Sequence, residues 1–187
     1  MKKFELTNEF VTNMFGTKLF RIRALVEFGD VEAGELGGYV EKESNLGHDD
    51  NAWVYDNARV YGNARVYGDA QVSGDALVYG NAWVYGDAQV SGDARVCGDA
   101  RVCGNGDYAY AHGFGSVNRT TTFFRLKDGG VGVRCGCFYG TLAQFRDKIR
   151  ETHGETKKAQ EYLMLADLME LRFEEDENEV GNRKYVE

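Results

Sequence analysis

The chain has 187 residues, enough for one substantial domain or a core with two small flanking modules, and a net charge of −8. That acidity opposes a plain duplex-DNA binder, which needs a basic excess to neutralise phosphates, and leaves room for a basic protein partner. Its four cysteines, Cys97, Cys103, Cys135 and Cys137, lack zinc-ribbon spacing, and no apolar run approaches a membrane span.

Residues 1–37 contain "KKFELT" and "KLFRIRALVEF", alternating runs that predict strands forming an N-terminal β cap. The two lysines at the start have no apolar stretch behind them, so no signal peptide is expected. With no export signal, the thiols are expected to be reduced and the protein cytoplasmic.

Residues 38–115 are dominated by a repeat. Every sixth residue from Val54 to Val102 is valine, and alanine stands two positions before each, from Ala52 to Ala100. In Ala-x-Val-x, alternation sends Ala and Val to one face and both x residues to the other. Gly followed by Asp or Asn completes every hexad after the first, which ends Asp56-Asn57, and these types tolerate tight bends. Gly at every sixth position and a stripe of β-branched Val both oppose a helix. Each hexad is therefore a very short strand plus a corner, and such units bury a core only by stacking as a solenoid.

A second, longer beat runs through the repeat. Gln71-Val72-Ser73 returns as Gln89-Val90-Ser91, eighteen residues later. Three corners per turn give an eighteen-residue coil, which places these triplets one above the other at about 4.8 Å. Backwards, Val40, Ser44 and Leu46 fit an irregular hexad, and the frame slips by two residues in "GHDDNA" before Ala52. Forwards, Gly106 and His112 take Ala places while Tyr108 and Phe114 take Val places, giving about four coils. The chain has no proline, which suits hydrogen-bonded strand throughout.

Residues 116–174 predict a C-terminal β-hairpin and two helices. "TTTFFRL", "KDGG" and "VGVRCGCFYG" form the hairpin, with Cys135 and Cys137 on one buried strand face. Thr141 caps a helix that Gly154 ends, and a second amphipathic helix runs from about Thr156 to Phe173. Residues 175–187 read as an acidic flexible tail.

With Val54 and Ala58, Val60 and Ala64, Val66 and Ala70, and onward to Val96 and Ala100, the repeat resembles the hexapeptide-repeat proteins. The resemblance implies a mainly β chain, a left-handed parallel β-helix of triangular section, and a homotrimer. From "FGDVEAGELGGYVE" through "CGCFYGTLAQFRDKIRETHG" the whole chain resembles an uncharacterised bacteriophage and prophage group, which would place it in a host bacterial cytoplasm.

Many hexapeptide-repeat proteins are acyltransferases that use coenzyme A and a histidine base. The resemblance makes His48, in the frame slip, the candidate catalyst, since a base needs a pKa near working pH. The long protruding loop usual in those enzymes is missing here. His112 is expected to close the last coil, and His153 to lie near a helix C-terminus. The competing expectation is a non-catalytic binding protein that needs no cofactor and acts through its outer faces.

The eighteen-residue register assigns those faces. One carries Trp53-Tyr55, Gln71-Ser73 and Gln89-Ser91. The next carries Arg59-Tyr61, Leu77-Tyr79 and Arg95-Cys97, and the third Arg65-Tyr67, Trp83-Tyr85 and Arg101-Cys103. Tyr61 is then expected over Tyr79, Tyr67 over Tyr85, and Trp83 between Arg65 and Arg101. Two readings of these ladders stand: sheet pairs plus a trimer interface, or a site for a nucleotide-like molecule or a host protein. Corner aspartates such as Asp69, Asp75 and Asp87 are expected to serve turns rather than a metal, because Asn replaces Asp at Asn57, Asn63 and Asn81.

Overall fold

A computed structural model describes residues 2–174; the acidic tail, 175–187, lies outside the described residues. Strands β1 (Phe4–Thr12), β2 (Lys18–Ala24) and β3 (Leu36–Val40) come first. Nine two-residue strands follow: β4 (Trp53–Val54), β5 (Arg59–Val60), β6 (Arg65–Val66), β7 (Gln71–Val72), β8 (Leu77–Val78), β9 (Trp83–Val84), β10 (Gln89–Val90), β11 (Arg95–Val96) and β12 (Arg101–Val102). Then come β13 (Tyr108–Phe114), β14 (Arg119–Arg125), β15 (Val131–Cys135), β16 (Phe138–Thr141), α1 (Leu142–His153) and α2 (Lys157–Phe173).

The short strands pair in parallel across one coil: Gln71 lies beside Gln89, Leu77 beside Arg95, and Trp83 beside Arg101. Three sheets result, containing β4-β7-β10, β5-β8-β11 and β6-β9-β12. Every alanine of the repeat from Ala52 to Ala100 and every valine from Val54 to Val102 is fully buried. The interior is thus a column of small and β-branched side chains, and the period-two alternation decides what enters it. Corners are bound to corners: the Asn57 N–H donates to the Gly74 carbonyl at 3.1 Å, and the Asp69 N–H to that of Gly86 at 2.8 Å. Asp56 occupies a place that Gly takes in later hexads, at φ 52°, and its carboxylate accepts the Gly74 N–H at 3.0 Å. Among the described residues no group of three or more His, Cys, Asp or Glu could hold a metal ion.

The first coil is longer. Val40 pairs with Val60 and Leu46 with Val66, both twenty apart, so two extra residues enter before Ala52. Asn45 secures this coil from inside, its amide donating to the Gly62 and Ala64 carbonyls at 3.1 and 2.8 Å. β1 and β2 continue the β5-β8-β11 sheet beyond β3, and Phe4 and Ile22 close the N-terminal end of the core.

At the other end the winding stops earlier than the frame suggests. Parallel pairing finishes at β12, and β13 instead pairs antiparallel with β14 in a four-stranded sheet β13-β14-β15-β16. The cause is a buried polar clasp. Asp107 accepts the Cys103 N–H at 3.0 Å and faces Arg125 at 3.6 Å, so the chain turns out of the coil. Tyr108, expected at a Val place, does enter the core but plugs it there. His112, expected to close a coil, is consequently exposed on β13, with Nδ1 2.9 Å from the Thr120 hydroxyl.

Thr141 caps α1 through a reciprocal box with Gln144, and Thr156 caps α2 by accepting the Ala159 N–H at 3.3 Å. A second core forms between this sheet and the helices around Phe123, Phe145, Tyr162 and Met169. No helix among the described residues is long and apolar enough to cross a membrane.

Candidate functional site

The expected ladders form. Tyr61 stacks on Tyr79 with centroids 5.1 Å apart, and Tyr67 on Tyr85 at 5.2 Å, both with ring planes nearly parallel. The Trp83 ring lies 5.7 Å from the Arg65 guanidinium and 4.3 Å from that of Arg101. Parallel pairing without a stagger explains this, because identical places in successive coils sit one strand spacing apart.

The structure separates these residues into two settings. Arg59, Tyr61, Tyr79 and Arg95 belong to the β5-β8-β11 face. The C-terminal sheet closes on its end: the Arg95 N–H donates to the Thr122 hydroxyl at 2.9 Å, and the Lys127 N–H to the Asp99 carbonyl at 3.0 Å. Cys97, expected to point outward here, is buried. Burial raises its pKa, and burial followed by nearby Cys97 raises that of Tyr79. Both groups therefore stay protonated at neutral pH, which removes Cys97 as a thiolate nucleophile.

Arg65, Tyr67, Trp83, Tyr85 and Arg101 form the β6-β9-β12 face. Arg65 is exposed, whereas Arg101 is held by the carbonyls of Asn81 and Ala100 at 3.0 and 2.8 Å. Burial is the main cause that raises the phenol pKa of Tyr67 and pushes that of Tyr85 up to about 12, so both hydroxyls remain hydrogen-bond donors. A groove of about 570 Å³ opens at the N-terminal end of this face, lined by Arg65, Tyr67, Trp83, Glu43, His48 and Asp49. The expectation of free aromatic planes needs amendment. The rings spend faces on each other and on guanidiniums along the rod axis, leaving edges, hydroxyls and Arg forks for a ligand.

The remaining face differs most from expectation. Trp53 is not outward but fully buried, because Phe4 and Phe28 of the N-terminal segment pack edge-on against it at 6.2 and 5.3 Å. Beyond it, Gln71, Ser73, Gln89 and Ser91 floor a second groove of about 510 Å³, which Tyr108, Tyr110 and Arg172 help to line. Sequence periodicity marks the floor through the Gln-Val-Ser recurrence. It gives no sign of the walls, which arrive from β13 and α2.

His48 is occupied structurally. Its ring stacks on Phe4 at 4.4 Å, and Nδ1 accepts the Lys3 N–H at 3.2 Å, which leaves the proton of the neutral ring on Nε2. His153 ends α1 and stacks on Tyr162 at 5.9 Å. Cys135 and Cys137 do not share a buried strand face: β15 ends at Cys135, Gly136 turns the chain at φ 58°, and Cys137 is exposed.

Residues 52–68, 58–71, 70–86 and 88–104 match the family described as YdcK Beta solenoid repeat. The chain carries β-solenoid repeats. The matched stretches all lie within the β-solenoid from β4 to β12 and its corners, not in the two end caps. No curated protein matches the chain.

Proposed function

We propose that this β-solenoid is a non-catalytic binding protein that takes an anionic, ring-bearing ligand, a nucleotide by chemistry, on its β6-β9-β12 face. The observation that carries the reading is the Arg65–Trp83–Arg101 stack, with guanidiniums 5.7 and 4.3 Å from one indole. Forks already positioned by cation–π contact lose less entropy when they grip phosphate. The groove beside Arg65 adds Tyr67 and the carboxylate of Asp49, which can accept the N–H groups of a base edge. Glu43, on the same rim, is paired with Lys2 at 2.5 Å. The resemblance to bacteriophage proteins extends the reading to capture of a host nucleotide signal or blockade of a defence protein, by a homotrimer.

Thermal-shift measurements with cyclic and linear nucleotides, and with coenzyme A, test this. Nucleotides are expected to raise the Tm of the wild type and to lose at least tenfold in affinity with Arg65→Ala. Stabilisation by coenzyme A alone, accompanied by acyl transfer, would establish the acyltransferase instead. If no nucleotide shifts melting, the small-molecule reading fails and a protein partner takes its place. Sedimentation equilibrium measures the trimer, and a monomer mass would remove that part of the proposal.

A further inference from the structure

The Gln-Val-Ser recurrence lies on a different face from the Arg–Trp–Arg stack, and the proposed nucleotide site makes no use of it. Gln71 and Gln89 are adjacent partners across β7 and β10, and Ser73 and Ser91 follow them on the same face. Their side-chain amides and hydroxyls find no hydrogen-bond partner among the described residues. Outward polar groups on a flat strand are ordinarily satisfied by bulk water, but these four floor a walled groove of about 510 Å³. That volume falls in the range of about 300–1,000 Å³ typical of small-molecule sites.

The wall is built into the fold. The Tyr108 hydroxyl donates to the Gln89 carbonyl at 2.6 Å, the Asn105 side chain accepts the Gln89 N–H at 2.9 Å, and Arg172 donates to the Asn105 carbonyl at 3.2 Å. These three bonds tie the floor, the turn after β12 and the end of α2 into one frame. Tyr110 stands at the rim, 41% exposed, with its hydroxyl end over the Gly92 corner.

The chemistry of this groove is close to neutral. Each glutamine amide offers both donors and an acceptor, and each serine hydroxyl does the same in smaller form. Among the described residues, the only charged side chain lining it is that of Arg172, and no carboxylate takes part. A surface of paired donors and acceptors, repeated one strand spacing apart beside an aromatic ring, complements a ligand whose groups also donate and accept. Sugar hydroxyls have that character, and a pyranose face packs apolar C–H groups on a tyrosine ring. A phosphate ligand would engage only the donors of the amides and hydroxyls and leave both glutamine carbonyl oxygens unused.

We propose that the groove between the Gln71–Gln89 ladder and the Tyr108–Tyr110 wall is a saccharide-binding site for an uncharged oligosaccharide. The test is a glycan array of neutral and acidic oligosaccharides probed with the full chain, followed by calorimetric titration of the strongest neutral ligand. Neutral glycans are expected to bind, with affinity reduced at least tenfold by Gln71→Ala/Gln89→Ala and by Tyr110→Ala. Trp83→Ala, on the other face, is expected to leave that affinity unchanged, which separates this site from the nucleotide reading. Melting curves of each variant confirm folding, since all three substituted groove side chains reach toward solvent. Absence of neutral-glycan binding, binding of acidic glycans alone, or binding indifferent to the groove substitutions would each overturn the proposal.

Discussion

The solenoid and the C-terminal cap are both built on buried apolar side chains, yet they use opposite strategies. The solenoid repeats one pair, Ala and Val, so every layer of its core resembles the next. The cap uses each large side chain once: Phe145 meets Phe123 at 6.1 Å and Tyr162 at 5.8 Å, both edge-on. A repeated core spreads stability over many nearly equivalent interfaces, whereas a single cluster concentrates it in a few. What differs is how much one residue is worth.

Phe145→Ala is the sharpest probe of that difference. Phe145 is almost fully buried, and its truncation is expected to cost about 3–5 kcal/mol in urea titrations, with loss of the cap before the rod. Val78→Ala in the middle of the solenoid removes two methyl groups and is expected to cost about 2 kcal/mol. Equal losses would erase the contrast.

Backbone substitutions sharpen it next. Gly86 has φ 63° and packs so closely on the Cys103 carbonyl that an added Cβ would overlap it. Gly86→Ala is expected to cost at least about 1–2 kcal/mol from left-handed strain alone. Gly106, in the turn toward the cap, has nothing within 4 Å of an added Cβ, so Gly106→Ala should stay within about 0.5 kcal/mol. Thermal denaturation of both variants measures the pair, and similar Tm losses would show that the corners are not under tension.

The last effect concerns the N-terminal seal and is read through pH. Lys3 is buried, donates to the Asp50 and Ala52 carbonyls at 3.2 and 2.8 Å, and burial lowers its pKa to about 8 from 10.5. The unfolded chain therefore holds more protons than the folded one between these values, and stability contributed by this group rises with pH across that window. Urea titrations from pH 8 to 10 should show wild type gaining relative to Lys3→Met. A constant difference between them would mean that the ammonium does not titrate in the seal.

The rod was legible because one constraint, alternation with a corner at each sixth residue, is written nine times from Ala52 to Ala100. Each copy corroborates the others, and the stacking of Tyr61 on Tyr79 follows from register alone. The cap's hairpin and helices were legible locally, through Thr141, Gly154 and Thr156. Three things were not. Trp53 looked outward because alternation knows nothing of Phe4 and Phe28, which arrive from elsewhere in the chain. The end of the winding depended on the Asp107–Arg125 clasp, a pairing across distant positions. The groove walls came from Tyr108, Tyr110 and Arg172, whose approach to Gln89 has no local signature.

The twenty-residue first lap beside the eighteen-residue laps above it has a consequence for how such a chain can change length. Removing or adding one whole later lap would lift everything beyond it by a storey and keep each side chain on its own wall. Removing a single hexad between Gln71 and Trp83 would swing every later residue around to the neighbouring wall, setting Trp83 off Arg65, though not off Arg101, and Gln89 off its twin. Growth of this molecule is thus quantised: its walls survive only when the chain is edited by complete circuits.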